Sequence, residues 1–197
     1  MSKRVLDLCF SAPSCLLLLP LFALVAILIK LESRGPVVFR QKRRGKNFEH
    51  FTMFKFRSLR PVPDPHERYE MQQTDPRITR VGAFIRRTSI DELPQLFNVI
   101  AGSMSLVGPR PLIEWESQEC LSRHAERFRM KPGITGLSQV TMRNAGDLAE
   151  RSDKDLEYVR NWSVRLDLRI LLRTPRALLR GDSIYSSAKE GTLCLKA

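Results

Sequence analysis

Histidine and cysteine are scarce and scattered. His50, His66 and His124, with Cys9, Cys15, Cys120 and Cys194, form no CxxC pair and no cluster at zinc-ligand spacing. A structural zinc site is therefore not encoded by spacing. A disulfide framework is not encoded either, because Cys9 and Cys15 sit in an apolar run where thiols act as small hydrophobes. A reduced, cytoplasm-facing protein follows. Acidic residues are in deficit, with 21 Asp and Glu against 33 Lys and Arg, for a net charge of +12. The partners are expected to be anionic: nucleic acid, anionic lipid or phosphorylated small molecules. Aromatics are few, at 8%, and do not interleave with the basic residues, unlike a nucleic-acid groove. Internal repeats and low-complexity tracts are absent, and 197 residues suit one domain with a real core.

Charge of either sign is missing from Leu8 to Ile29, a run of about 22 residues. As one helix it would cross a hydrocarbon core of roughly 30 Å. A signal peptide would have a shorter core and a small-x-small cleavage site, and none follows before Lys30. Pro13 and Pro20 interrupt the run, and basic residues flank both ends: Lys3 and Arg4 before, Lys30 and Arg34 after. Positive flanks favour the cytoplasmic side. A segment that enters the membrane, bends near Pro20 and returns would keep both flanks there.

The stretch that follows reads as a hairpin: Val37 to Gln41, a turn at "RRGKN", and a return from Phe48 to Arg57. Period-two alternation puts Lys55 and Arg57 on one face. The proline-rich "PVPDPHERYEMQQTDPR" predicts a surface loop. Ser89 to Ile100 predicts a helix whose buried face is Leu93, Leu96, Phe97 and Ile100, with Gly102 as its stop. "SLVGPRPL" is a short apolar run ending in a rigid corner, and "KPGITGLSQV" pairs tight turns with a short strand. Ser152 with Asp155 predicts a helix start, and Thr174-Pro175 another that ends at Gly181. Arg165, Arg169, Arg173, Arg176 and Arg180 recur among leucines, as on a helix lying on a membrane surface or one with a solvated arginine face.

Chemistry concentrates in "RRTSIDELPQLFNV", Arg86 to Val99. Either Ser89 caps the helix and Glu92 completes a capping box, or Asp91 caps it and Pro94 falls in the first turn. A helix start also stabilises a bound diphosphate. Arg86 and Arg87 lie just upstream, and Lys55, Arg57 and Arg110 lie in segments rigid enough for fixed phosphate contacts. An ionised carboxylate can attack phosphorus and form an acyl phosphate, with a divalent cation screening the charges.

Six stretches now stand in order: "SRGPVVFRQKRRG", "FKFRSL", "IRRTSIDELPQLFNVIAGSMSLVGPRPL", "KPGITGLSQV", "RN" and "LDLRIL". From about Lys3 to about Arg180 the chain resembles the bacterial sugar transferases, the monotopic polyprenol-phosphate phosphoglycosyl transferases. It is most similar to the short members, such as the initiating enzyme of bacterial N-linked protein glycosylation. The resemblance implies that a UDP-sugar gives its sugar phosphate to Asp91, that UMP leaves, and that membrane polyprenol (undecaprenyl) phosphate takes the sugar phosphate. It implies Glu92 as partner carboxylate, Mg2+ held in part by Asp91, and Lys55, Arg86 and Arg110 around the phosphates. Lys3 and Arg4 match the basic pair at the start of a re-entrant helix. Pro20 matches the proline of its bend, but Leu19 stands where several short members have serine, which leaves the means of stabilising the bend open. The implied partners are a UDP-sugar, favouring an N-acetylated amino sugar, polyprenol phosphate and inner-membrane lipids, without nucleic acid. The expected architecture is α/β (α+β), a small sheet with surrounding helices. Residues 1–34 form the re-entrant anchor, 35–181 the catalytic domain and 182–197 a tail, on the cytoplasmic face of a bacterial inner membrane. The alternative is a membrane-tethered basic protein that binds anionic lipid or nucleic acid without catalysis.

Overall fold

Two helices that break at a proline open the chain. The computed structural model describes residues 3–61, 75–142 and 146–179. Helix α1, Lys3–Leu17, and helix α2, Leu19–Glu32, meet at 57°. No single helix among the described residues is long and apolar enough to cross a membrane, but this bent pair passes that test jointly. The bend needs no preceding serine. Leu18 is the N-cap of α2, so Pro20 falls in its first turn, where a missing N–H has no intrahelical acceptor to lose. The Leu18 N–H still donates to the Ser14 carbonyl at 3.0 Å, and its carbonyl accepts from Phe22 at 2.9 Å. Ser11 does not take over the missing hydroxyl's role: its buried Oγ has no hydrogen-bond partner.

The hairpin forms as expected, with β1, Val38–Arg44, antiparallel to β2, His50–Phe56, in the register Val38 to Phe56. Asn47 and Phe48 take left-handed backbone in the turn, and Phe48 packs on Phe128 at 4.3 Å. After α3, Arg80–Arg87, a single 3-10 turn at Ile90–Glu92 leads to α4, Gln95–Ala101. Strand β3, Ser105–Val107, is followed by α5, Glu114–Glu119, and a 3-10 turn at Ala125–Arg129. Strand β4, Gly133–Thr135, runs parallel to β3. Helices α6, Leu137–Thr141, α7, Leu148–Arg160, and α8, Val164–Leu179, complete the described chain. The architecture is α+β, but its strands form two separate two-stranded sheets rather than one.

Four expectations about boundaries change. The stretch from Ser89 to Ile100 is not one helix. Ser89 has φ 58° and caps nothing, Asp91 lies within the 3-10 turn, and Pro94 is the N-cap of α4. "LSQV" is helix α6 rather than strand. Helix α7 starts at Asp147, which accepts from the Glu150 N–H at 2.8 Å, so Ser152 and Asp155 lie inside it. Thr174 and Pro175 do not start a helix, because α8 runs through them. Thr174 Oγ1 donates to the Ile170 carbonyl, four residues back, at 2.9 Å, and Pro175 lacks the N–H that would otherwise reach the Leu171 carbonyl. The proline-rich loop, apart from Pro61 and residues 75–77, lies outside the described residues, as do "RN" at 143–144, Arg180, Gly181 and the tail 182–197.

One hydrophobic core joins the bent pair to the body: Leu6, Phe22, Val25 and Ile29 pack with Met53, Phe56, Ile85, Val99 and Val107. Polar bonds lock this packing. Buried Asp7 accepts from the Ser105 hydroxyl and the Leu106 N–H of β3, each at 2.9 Å. Glu32 accepts the first two N–H groups of α3, from Arg80 and Val81, at 2.6 and 2.8 Å. The β3–β4 pair fixes the far side. A Cβ on Gly133 would stand 2.1 Å from the Gly108 nitrogen, so only glycine permits this approach.

Candidate active site

Four distant segments converge on Asp91 and Glu92. Strand β2 supplies Lys55, the last turn of α3 supplies Arg86, and the corner after β3 supplies Arg110. Asn98 of α4 pins two of them together. Its side chain accepts from the Phe54 N–H at 3.0 Å and donates to the Thr52 carbonyl at 2.7 Å, locking β2 to the helix that follows the carboxylates. The left-handed Ser89 turns the chain between α3 and the 3-10 turn, an uncommon conformation of the kind concentrated at functional sites.

The neighbouring carboxylates are not equivalent. Glu92 Oε1 accepts from Lys55 Nζ at 2.6 Å, and Arg110 Nη2 is 4.0 Å away. Burial works against its charge, but Lys55 and Arg110 outweigh burial and hold the carboxyl down at about 2. Asp91 has no comparably close cation. Burial, then the charge of Glu92, push it up to about 6, against the pull of Lys55, Arg86 and Arg110. The pair therefore consists of a permanently ionised Glu92 and an Asp91 that titrates near neutrality, a division of the kind found at reacting centres.

Both carboxylates, with Lys55, Arg86 and Arg110, line a cavity of roughly 310 Å³. The five residues that the resemblance implied for the chemistry thus line one cavity. The lining also includes apolar Leu93, Ile134 and Val140 with Ala177 and Leu178 of α8, beside polar Ser89, Thr135, Gln139 and Thr174. Arg57 does not join them. Its guanidinium donates to the Ser33 and Arg34 carbonyls at 2.7 and 3.0 Å and closes the end of α2. The buried face of this stretch is the expected one for Leu96, which is buried, and for Leu93 and Ile100, which pack against the core, but Phe97 is exposed and Gln95, Asn98 and Val99 are buried instead.

Lys3 and Arg4 have protein partners. Lys3 Nζ bonds Asp167 Oδ2 at 2.6 Å and the Tyr158 hydroxyl at 3.0 Å. Arg4 donates to the Val99 and Ile100 carbonyls at the end of α4, satisfying groups that a helix end leaves open. The bent pair is thereby fastened to α8 and to the helix that follows the carboxylate turn.

Sequence reasoning missed three supports. Arg127 and Asp155 form a buried ion pair. Arg127 also donates to the Arg110 carbonyl at 2.9 Å, and Asp155 accepts from the Arg110 N–H at 3.3 Å and the Ser138 hydroxyl at 2.7 Å. Together they aim the corner that carries Arg110. Gln139 lines the cavity with a buried Nε2 that has no acceptor. Its only sequence signal was its place beside the Gly-rich turns of "KPGITGLSQV".

The donor set suits magnesium shared with a substrate. No group of three or more His, Cys, Asp or Glu side chains among the described residues can hold a metal by itself. Asp91 and the oxygen of Glu92 that Lys55 leaves open could provide the one or two carboxylates that magnesium typically takes beside substrate phosphates.

Comparison with known proteins places the chain in a family. The bacterial sugar transferase family profile matches residues 1–181. An undecaprenyl-phosphate glucose phosphotransferase of Komagataeibacter xylinus is 46% identical over 187 residues, 88% of this chain and 35% of that protein. A UDP-glucose:undecaprenyl-phosphate glucose-1-phosphate transferase of Caulobacter vibrioides is 42% identical over 191 residues, 93% of this chain and 72% of that protein. A UDP-N-acetylgalactosamine-undecaprenyl-phosphate N-acetylgalactosaminephosphotransferase of Aeromonas hydrophila is 40% identical over 186 residues, 91% of this chain and 44% of that protein. The chain spans about a third of the first, under three quarters of the second and under half of the third. On the extent of the profile match and these identities, the chain belongs to the bacterial sugar transferase family.

Proposed function

We propose that the protein transfers a sugar 1-phosphate from a UDP-sugar to polyprenol phosphate, releasing UMP and forming polyprenol-diphosphate-sugar. The observation that carries this reading is the unequal carboxylate pair among three phosphate-competent cations, in a cavity with a partly apolar lining. Ionised Asp91 attacks the sugar-bearing phosphorus. A carboxylate–phosphorus bond forms as the bond to the UMP oxygen breaks, and UMP leaves with that electron pair. An oxygen of polyprenol phosphate then attacks the same phosphorus and expels Asp91 as carboxylate. Lys55, Arg86 and Arg110 hold the phosphate oxygens and absorb the charge that develops. Glu92, ionised down to about pH 2, is a poor base, so its role is to fix Lys55 and hold magnesium rather than to move a proton. Asp91 and Glu92 would hold magnesium, which would supply neutralisation of the diphosphate charge.

The membrane reading rests on the bent helix pair and on apolar residues left in the open. Leu16, Leu17 and Leu31 are 71, 80 and 79% exposed, and Leu172 of α8 is 81% exposed beside Arg169, Arg173 and Arg176. Apolar area of this extent is costly in water and suits a bilayer interface. The bent pair enters one leaflet and returns, with the catalytic body on the cytoplasmic face of the bacterial inner membrane. A cysteine placed at the N-terminus is then labelled only from the cytoplasmic side, and periplasmic labelling would refute this topology.

The donor sugar is best sought first among hexoses. UDP-glucose stands in the Caulobacter relative's name and N-acetylgalactosamine in the Aeromonas relative's. An N-acetylated amino sugar therefore stays in the panel beside UDP-glucose. UMP release from the detergent-purified protein with magnesium and this panel tests the whole reading. Release that requires Asp91, with a stoichiometric burst when undecaprenyl phosphate is withheld, is expected. Asp91→Asn that retains full activity would refute the covalent route, and lipid or DNA binding without any UMP release would leave a binding protein.

A further inference from the structure

Behind Arg110 lies a second cavity of roughly 130 Å³. Four arginines wall it: Arg43, Arg110, Arg127 and Arg151, with Glu116 and Asp155 as its acids. Asp155 is consumed by its ion pair with Arg127, and Glu116 stands 3.5 Å from Arg43. Arg151 makes no ion pair among the described residues, its Nε donating to the Asp147 carbonyl at 3.1 Å. Arg110 has only the distant Glu92 oxygen, already bound by Lys55. The wall therefore carries an excess of positive charge with no acid to balance it. Burial and the charge of Arg110 both disfavour ionised Arg151, and burial lowers Arg43 to about 10. Arg127 adds a buried Nε donor with no acceptor. Such a wall costs free energy when empty and gains it when an anion enters.

The two cavities are not separate sites. A narrow space lined by Arg43, Lys55, Glu92 and Arg110 lies between them, and Arg110 lines all three. Arg110 is thus a partition, with the carboxylates on one side and the arginine-walled space on the other. In a donor diphosphate, one phosphate carries the sugar and must meet Asp91, and its neighbour carries the nucleoside. The bond that breaks lies between them. An arginine placed at that bond can hold both phosphates before the reaction and the leaving oxygen after it.

Resting on the proposed transferase reading, we infer that the arginine-walled cavity receives the nucleoside monophosphate half of the donor and, after transfer, retains the leaving nucleotide. The carboxylate-lined cavity is then left for the sugar phosphate and the lipid acceptor. The buried Arg127–Asp155 pair has a positioning part: it holds the Arg110 backbone and forms the cavity floor. Arg43 and Arg151 provide the charge on the nucleotide side.

The test uses full-length protein in detergent. UMP, uridine and inorganic phosphate are titrated into Asp91→Asn, which cannot turn over, and the same three are used as inhibitors of the wild type. UMP is expected to bind best and to compete with the UDP-sugar. Arg151→Gln is expected to weaken UMP about ten-fold or more and to raise the donor KM in step, leaving the KM for undecaprenyl phosphate in place. Arg151→Lys is expected to recover part of the loss. Arg43→Gln, on the opposite wall, should weaken UMP as well, and thermal melts check that each variant is folded. Unchanged UMP affinity in folded Arg151→Gln and Arg43→Gln would overturn the assignment. Inorganic phosphate binding as tightly as UMP would overturn it too, by reducing the cavity to a general anion site. Failure of the parent reading looks different: the wild type itself would then release no UMP.

Discussion

Replacing Asp91 by asparagine should make the protein more stable while abolishing turnover, and replacing Glu92 by glutamine should make it less stable. Asp91 keeps its proton in the native protein up to about pH 6, whereas in the unfolded chain the ordinary value of 3.8 applies. Between those values the native state binds more protons, so stability falls as pH rises, and above pH 6 the whole penalty is present. The gap amounts to at most about 3 kcal/mol. Asparagine removes it. Glu92 behaves in the opposite sense: its native carboxyl ionises at about 2, against an ordinary 4.5. Its contribution is present above pH 4.5 and is lost as pH falls toward 2. Glutamine forfeits it and leaves Lys55 without the carboxylate at 2.6 Å, although relief of repulsion on Asp91 returns part of the loss. The net expectation is a gain of about 1–3 kcal/mol for Asp91→Asn and a similar loss for Glu92→Gln at pH 7.5. In thermal melts of the detergent-solubilised protein this separates the two variants by roughly 4–24 °C. Repeating the melts at pH 4.5 should shrink most of the Asp91→Asn gain, because native Asp91 is then protonated. Equal shifts for the two variants, or an Asp91→Asn gain that persists undiminished at pH 4.5, would refute the electrostatic inequality on which the assignment of nucleophile rests.

Further outcomes follow from the same geometry. Initial rates of UMP release should fall about ten-fold for each pH unit below about 6, as Asp91 gains a proton, and the limb should be absent from any residual activity of Asp91→Asn. Asp155→Asn leaves Arg127 buried without its carboxylate, and should cost about 3–5 kcal/mol in denaturant unfolding. Gly133→Ala must move a backbone that lies 2.1 Å from the new Cβ, so it should prevent β3–β4 pairing, seen as failure to purify a folded protein or a lowered melting temperature. Arg57→Ala removes the closure of α2 rather than a phosphate contact, so it should lower the melting temperature more than it raises the donor KM.

The sequence carried the chemistry of the site more fully than its scaffolding. Lys55, Arg86, Asp91, Glu92 and Arg110 were legible because rigid, punctuated segments surround them, and all five line one cavity. The helix start beside Asp91 was misread because Ser-x-Asp-Glu before apolar residues is a strong capping pattern, while the left-handed Ser89 and the proline at 94 are decided by tertiary packing. Buried polar residues were the main blind spot. Asp7, Asn98, Arg127, Asp155 and Asp167 sit on largely apolar or amphipathic stretches, where a charge normally faces solvent. Most of their partners lie far away in the chain, up to 164 positions for Lys3 and Asp167, so local spacing does not reveal them. Arg57 failed for the complementary reason: alternation gives the face of a strand but not which end of another helix meets it.

Those buried polar bonds also explain how a bent apolar helix pair and a charged cavity can share so small a body. A bent apolar pair alone would have only dispersion and burial to set its angle and depth against the core, and both are nearly indifferent to small slides. Directional bonds are not. Asp7 fixes α1 to β3, Arg4 fixes it to the end of α4, Lys3 fixes it to α8 through Asp167, and Glu32 fixes α2 to the start of α3. Each of these four elements delivers, or leads directly into, a wall of the cavity: β3 into Arg110, α4 out of the carboxylate turn, α8 through Ala177 and Leu178, and α3 through Arg86. Fastening the pair at these four points therefore fixes the position of the cavity's lining relative to the pair, so a change in the angle between α1 and α2 is transmitted to Arg86, the carboxylate turn and Arg110 together.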